Sequence, residues 1–423
     1  MPMKHPLKIA LVCPYNMFER TGGVQQLVMN LHDGLVKKGH SVKVITQRPS
    51  GFDGEVPQDY ILFGVTRNFD GGFGVSGNWG MPADGDEMAE ILKHEDFDVI
   101  NFHEPWMPVL AWQMLKRSKA AHVGTFHANL VDGTAAKSWV NVFLPYGRGI
   151  GQKMHVLTAV SLAPASLLLN KVNHKNSSQK ELIESMRYIP NGIDLKVYRP
   201  PKKRLPLNGP ETRTVVYVGR LDRRKGVEWL LRAFAVLESK MPNAYLIIAG
   251  EGPRRERLEQ LADSLDIKNI HFSGYVDEEE KRRLMGNADV FCSPAMFGES
   301  FGIVLTEAMA MGAPVIAGRN SGYVNVLKGT GKLGLVDSKA TDDFADRLML
   351  VLSDDKISRM LRSWGLSEVK QYDYPKIVNL YEAAYAEAVK VATKERNGKK
   401  SEAKDEPAKK PFINRILIRR HAR

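Results

Sequence analysis

The sequence predicts an α/β protein of two parallel-sheet domains facing each other across a cleft, and three observations lead there. Apolar strand-like runs alternate with amphipathic helical runs in the first half, the alternation resumes in the second, and a Pro/Lys-rich stretch over residues 198–210 has a linker's composition. At 423 residues, 43% of them hydrophobic, the chain exceeds one ordinary core and can fill two. The expected division is 1–197 for the first domain, 198–210 for the linker, 211–374 for the second domain and 393–423 for a basic, partly disordered tail.

In the first half, residues 7–12 read as a buried strand and 23–38 as a helix with Val24, Leu27, Val28, Leu31 and Leu35 on one face. Residues 41–46 read as the next strand. The connection Pro14-Tyr15-Asn16-Met17-Phe18-Glu19-Arg20-Thr21-Gly22-Gly23 puts two glycines at a helix start beyond a strand's carboxyl end, where open sheets of this class bind ligands. A Gly-Gly pair serves equally as a plain turn, and no G-x-G-x-x-G fingerprint is present. Residues 50–85 are rich in glycine and aromatics with little periodicity, which predicts loops and short strands beside the cleft. Strands over 97–102 and 122–126 end in His103-Glu104-Pro105 and Thr125-Phe126-His127. No third ligand lies at metal-site spacing from these histidines, so no metal site is expected. A strand over 156–160 and the turn-rich Ile189-Pro190-Asn191-Gly192-Ile193-Asp194 complete the domain.

In the second half, strands are expected over 214–218, 244–249, 270–273, 290–293 and 314–317, with helices over 226–238, 253–265 and 278–288 between them. After the first of these strands comes Gly219-Arg220-Leu221-Asp222-Arg223-Arg224-Lys225-Gly226, a strand end and helix start loaded with cations. A diphosphate needs that combination, a guanidinium fork and an ammonium point charge, although a solvated basic turn has the same composition. The stretch Phe297-Gly298-Glu299-Ser300-Phe301-Gly302-Ile303-Val304-Leu305-Thr306-Glu307-Ala308-Met309-Ala310-Met311-Gly312 carries two glutamates eight apart. Its glycines allow close backbone approach, a helix starting near Ser300 offers free N–H groups to an anion, and Gly312 suits a left-handed cap. Glu307 lies in an otherwise apolar helix and needs a partner, which a ribose diol would provide. A capped helix with one solvated glutamate is the plainer reading.

Composition narrows the classes. The two cysteines, Cys13 and Cys292, lie in strand-like runs, which excludes a disulfide framework or zinc cluster and points to a reducing compartment. The apolar run at 7–12 is too short for a signal peptide, and no stretch reaches the roughly 20 apolar residues of a spanning helix. A cytoplasmic protein is expected. Of the net charge of +12, +7 comes from residues 394–423, with eleven Lys/Arg against four Asp/Glu. The excess basicity is therefore mostly a tail, and no nucleic-acid-binding pattern accompanies it. The segment 411–423 mixes bulky apolar and cationic residues; it reads either as an anchor to the anionic inner face of the cell membrane or as a disordered tail beyond a linker at 394–410.

Glu299 and Glu307, with seven residues between them in Gly-Glu-Ser-Phe-Gly-Ile-Val-Leu-Thr-Glu-Ala-Met-Ala, resemble the E-x7-E motif of the retaining family-4 glycosyltransferases with the GT-B fold. Gly22-Gly23-Val24-Gln25, His103-Glu104-Pro105, Thr125-Phe126-His127, Pro190-Asn191-Gly192-Ile193-Asp194, Gly219-Arg220 with Lys225-Gly226, and Gly250-Glu251-Gly252 extend the resemblance in order over residues 7–390. Cys13-Pro14-Tyr15 and Phe102-His103-Glu104-Pro105 resemble the phosphatidylinositol mannosyltransferase branch. The resemblance implies a nucleoside-diphosphate-sugar donor held by Gly22, Gly23, Arg220, Lys225, Gly250, Glu299, Ser300, Phe301, Gly302, Ile303 and Glu307. It implies catalytic roles for His127, Glu299, Arg220 and Lys225, acceptor contacts from Tyr15, Asn16, His103 and Asn129, and no metal or cofactor. A helix over 375–392 would return to the first domain. The implied reaction is transfer of a hexose, mannose from GDP-mannose, to a lipid-linked acceptor such as phosphatidylinositol. Ala128-Asn129-Leu130-Val131-Asp132-Gly133 lacks the lysine of that branch, and Asp84-Gly85-Asp86-Glu87-Met88-Ala89-Glu90 is acidic where the branch is basic. A UDP-sugar with a soluble or polysaccharide acceptor, a hydrolase using the two glutamates, and a non-catalytic nucleotide-sugar-binding protein are the alternatives.

Overall fold

The computed structural model describes residues 5–18, 22–70, 76–80, 82–107, 109–128, 149–164 and 186–405. Its first sheet contains β1 (Lys8–Val12), β2 (Ser41–Pro49), β3 (Tyr60–Asp70), β4 (Ser76–Gly80), β5 (Val99–His103), β6 (Ala121–Phe126), β7 (Val156–Ala159) and β8 (Arg187–Tyr188). The order across the sheet is β4-β3-β2-β1-β5-β6-β7-β8, with only the β3–β4 pair antiparallel. Successive side chains of a strand point to opposite faces, and both faces are covered. Ile9 and Leu11 pack with Leu27, Val28, Leu31 and Leu35 of α1 (Gly23–Lys37). Ala10 and Val12 pack with Met88 and Leu92 of α2 (Gly85–Glu95) and Leu110 and Met114 of α3 (Leu110–Arg117). The 11-residue β3 corrects the expectation of loops and short strands over 50–85. Phe63 is fully buried against this core and Ile61 partly so, and sheet burial overrides a weak local period.

The second sheet is β9 (Arg213–Val218), β10 (Ala244–Ala249), β11 (Ile270–Gly274), β12 (Val290–Ser293), β13 (Val315–Gly318) and β14 (Leu335–Val336), all parallel, in the order β11-β10-β9-β12-β13-β14. Its helices are α4 (Val227–Lys240), α5 (Arg255–Ser264), α6 (Glu278–Asn287), α7 (Ile303–Ala310), α8 (Thr341–Ser353) and α9 (Asp355–Glu368). The chain then returns. In α10 (Tyr374–Asp405), Ile377, Tyr381, Tyr385 and Ala388 pack on the first lobe beside Leu27, Leu31 and Leu35. This helix runs past residue 392, where the tail was expected to begin, as far as Asp405. Residues 393–405 are dominated by Lys, Glu, Arg and Ala with no proline before Pro407, and such a run continues a helix already nucleated by tertiary contact.

The two crossings between lobes run side by side. Ile193 N donates to Tyr372 O at 2.8 Å, and Tyr374 N donates to Ile193 O at 3.1 Å. In the first sheet the chain leaves β1 toward β2 on one side and later fills β5 on the other; in the second it leaves β9 toward β10 and later fills β12. At such reversals the loops after adjacent strands diverge and leave a crevice at the carboxyl edge. The described parts of those loops are residues 13–18, 22, 104–107 and 109 in the first lobe, and 219–226 and 294–302 in the second. They hold most of the candidate site residues. Among the described residues, no helix is long and apolar enough to cross a membrane.

Candidate active site

In the second lobe the site is built from two loops about 75 positions apart in sequence. Asp222 accepts from Lys225 N through its side chain at 3.1 Å and so closes the short turn Arg223–Lys225, while Gly226 takes a left-handed conformation, φ 68°. A Cβ at Gly226 would lie 2.4 Å from the carbonyl oxygen of Pro294, so this glycine lets the turn lie against the end of β12. The result is an ion cluster. Lys225 Nζ donates to Glu299 Oε1 at 2.8 Å and Arg224 Nη1 to the same oxygen at 3.1 Å, with Arg224 also donating to Gly298 O at 3.0 Å. Glu299 is 8% exposed. Burial opposes its charge, but the Lys225 ammonium and the Arg224 guanidinium outweigh burial and hold its carboxyl below the usual carboxylate range. Tyr323, fully buried, also bonds Glu299 and shares a 2.8 Å hydrogen bond with Ser293.

The helix expected near Ser300 begins at Ile303, because Gly302 turns the chain through φ 106°. Its first N–H groups, at Ile303 and Val304, have no intrahelical acceptor and face outward from the helix start with the positive end of its dipole. Across the cleft lies the start of α1, where the Gln25 side chain accepts from Gly22 N at 3.1 Å. A Cβ on Gly23 would come within 2.8 Å of Ile303 Cδ1. Two helix N-termini from different lobes therefore meet beside the Lys225–Glu299 cluster, and Ser161 of the first lobe donates to Ser300 O. Further along α7, Glu307 Oε1 accepts from Lys281 Nζ at 3.0 Å and from Tyr198 Oη at 3.1 Å, and both partners also bond Glu278. Burial raises the Glu307 carboxyl even though the Lys281 ammonium works against it.

Among the described residues, the first lobe's contribution holds no cation. His127 and His103 are buried with their rings nearly parallel, 17° between planes and centroids 5.1 Å apart, and meet edge to edge with His103 Nδ1 and His127 Nε2 at 2.9 Å. Burial holds His127 down to about 3 and His103 well below its ordinary value, so both are neutral at physiological pH. Glu104, 1% exposed and at φ 53°, accepts from the backbone N–H of His127 at 2.7 Å, from that of Ala128 and from the Trp106 indole. With no cation among these partners, burial pushes it up to about 7. Tyr15 lies near enough for the Glu104 charge, after burial, to raise its hydroxyl further.

The chain matches known proteins over nearly its whole length. Residues 21–197 match the profile described as Glycosyltransferase Family 4, and residues 201–365 the profile described as Glycosyl transferases group 1. A phosphatidyl-myo-inositol mannosyltransferase of Mycobacterium tuberculosis is 31% identical over 91% of this chain and 99% of its own. The protein of that name from Mycolicibacterium smegmatis is 30% identical over 91% and 96%. The chain belongs to the family-4 glycosyltransferases. Its GT-B fold is shared with sucrose-phosphate synthase of Thermosynechococcus elongatus, at TM-score 0.69 and 22% identity over 90% of this chain and 99% of that one. HepE of Anabaena, solved with UDP and glucose, matches at TM-score 0.68 and 17% identity over the same shares.

Within this glycosyltransferase, Lys225, Glu299, Ser300, Gly302, Ile303 and Gly23 gather at one place, and His103 and His127 at another on the facing lobe. Arg220 does not join the Glu299 cluster: it is exposed, and its carbonyl accepts from Tyr217 Oη at 2.9 Å. Arg224 holds the place beside Glu299, one residue before Lys225 in a segment whose three arginines are equivalent by composition. Phe301 turns its side chain into the core, edge-on to Tyr372 at 5.3 Å, so only its backbone borders the site. Gly250 is required by fold, since a Cβ there would strike Gly219 O at 1.9 Å. Asn16 is buried and its Oδ1 accepts from Phe18 N at 2.9 Å within its own loop. Asn129 and residues 411–423 lie outside the described residues. Sequence reasoning also missed Asn101, Tyr323 and Lys281; an amide mid-strand in an apolar run was the one legible signal, at Asn101. Among the described residues, no group of three or more His, Cys, Asp or Glu is placed to hold a metal ion.

Proposed function

We propose that the protein is a retaining mannosyltransferase that moves mannose from GDP-mannose to a lipid-linked acceptor of the phosphatidylinositol class. The observation that carries this reading is the pair of facing helix N-termini beside Lys225 and Arg224, a fixed positive site for a diphosphate at the lobe interface. The relatives named phosphatidyl-myo-inositol mannosyltransferase support the sugar and the acceptor. In this reading Lys225, the exposed Arg220 and the first-turn amides of α7 stabilise charge that develops on the departing diphosphate. Glu299 fixes the two cations and receives hydroxyls of the transferred sugar, and Glu307 exchanges Lys281 and Tyr198 for the ribose diol.

His127 presents a neutral ring to the sugar from the other lobe. With no free carboxylate nucleophile assigned, attack comes from the face the diphosphate leaves, through a short-lived oxocarbenium-like state. Fixed protein cations supply the charge that a metal would, and no cofactor enters the scheme. The protein acts peripherally at the inner face of the cell membrane, with the basic segment 411–423 as its contact to anionic lipid.

The test is a donor panel of GDP-mannose, UDP-glucose and UDP-N-acetylglucosamine, read by thermal shift and by donor hydrolysis, with and without phosphatidylinositol vesicles. GDP-mannose should give the largest shift and a mannolipid product. A larger response to either UDP-sugar would replace the donor assignment, and transfer to a soluble glycan alone would replace the acceptor.

A further inference from the structure

A buried chain of hydrogen bonds runs through the first lobe and ends on His127. Thr158 Oγ1 donates to Thr125 Oγ1 at 2.8 Å, and Thr125 Oγ1 donates to Asn101 Oδ1 at 2.8 Å. The opposite end of the amide, Asn101 Nδ2, donates to His103 Nε2 at 3.2 Å and bonds Tyr385 Oη of α10 at 2.8 Å. An amide nitrogen has only protons to offer, so His103 Nε2 must be the unprotonated ring nitrogen. A neutral imidazole carries one proton, which then sits on His103 Nδ1 and points at His127 Nε2, 2.9 Å away. His127 Nε2 is therefore the acceptor, and its own proton is on Nδ1. Among the described residues nothing bonds that nitrogen. The direction of every bond follows from one asymmetric group, the Asn101 amide.

We propose that Asn101 and His103 are positioning residues that hold His127 as the tautomer protonated on Nδ1, so that the first lobe offers one N–H donor to an oxygen of the bound sugar nucleotide and no base. The other tautomer would place a lone pair there and repel the same oxygen. The crossover helix takes part, because Tyr385 braces the amide. Docking α10 on the first lobe thus also orients a group at the reacting centre, and this inference rests on the reading that His127 faces the donor.

Nitrogen-15 histidine spectra of the full-length protein decide the tautomer directly, since protonated and unprotonated ring nitrogens resonate far apart; loss of one ring's signals in His127→Ala assigns that ring. Wild type should show His127 protonated on Nδ1. Asn101→Leu and His103→Phe should each move population to Nε2–H, lower kcat, about tenfold or more for His103→Phe, and raise KM for the donor. His103→Asn, whose amide nitrogen can stand where Nδ1 stood, should restore both the tautomer and most of kcat. A wild-type His127 protonated on Nε2, or an unchanged tautomer in both apolar variants, would overturn the relay. Unchanged transfer in His127→Ala would instead remove the proposed contact with the donor, a separate failure that the spectra do not share.

Discussion

Each lobe buries a glutamate at the cleft, and the two behave in opposite ways. Glu299 in the second lobe meets an ammonium and a guanidinium and stays ionised; Glu104 in the first meets only neutral N–H donors and titrates near 7. Burial acts on both, so the difference lies in the partners. In the proposed reaction it matches what each lobe would face. A polyanionic leaving group needs fixed cations, and those cations need a buried counter-charge to stay in place when the site is empty. Sugar and acceptor hydroxyls need oriented dipoles, which charged groups would bind too indiscriminately. His127 and His103, both neutral, complete the side without cations.

Removing a cation from the charged side should have the largest effect. Lys225→Ala is expected to lower kcat about 10²–10³-fold, the usual cost of losing one pre-placed group at developing negative charge, measured as initial rate of glycosyl transfer. An effect under tenfold would mean that Arg224 and Arg220 carry the charge alone and that the contrast between lobes is drawn too sharply.

Glu104→Gln probes the neutral side through pH. Folding raises Glu104 from its ordinary 4.5 to about 7, so the native state binds a proton the unfolded chain has released, and this residue makes stability fall as pH rises from about 4.5 to about 7. His127, held at about 3 against an ordinary 6.5, acts in the opposite sense and removes stability as pH falls below 6.5. The difference between wild type and Glu104→Gln in urea unfolding should therefore shift in the variant's favour across pH 4.5–7. A pH-independent difference would show that Glu104 keeps its charge when buried.

The smallest effect is expected at Glu307. Glu307→Gln should raise the donor KM about tenfold with kcat nearly unchanged, since ribose contacts are made equally in the ground and transition states. A fall in kcat instead would bring Glu307 into the catalytic group with Glu299.

Much of this was legible in the chain, and the misses have a common cause. Strand and helix order in the second lobe followed from apolar period, and Gly312 at φ 78° ends α7 as its sequence implies. Strand β3 was missed because its burial comes from neighbours rather than from alternation within it. Arg224's contact with Glu299 was not legible because nothing in Arg220–Lys225 distinguishes cations that differ only in where a six-residue turn points them.

The sequence by itself determined the two-lobed α/β architecture, the glycines at strand ends and the family, because periodicity and turn chemistry are properties of neighbouring residues. Only the tertiary structure decided which cation meets Glu299, that Glu104 meets none, and that an amide on β5 sets the proton on a histidine after β6. Ion pairing and tautomer choice depend on distances between segments far apart in the chain, and no local pattern carries those distances.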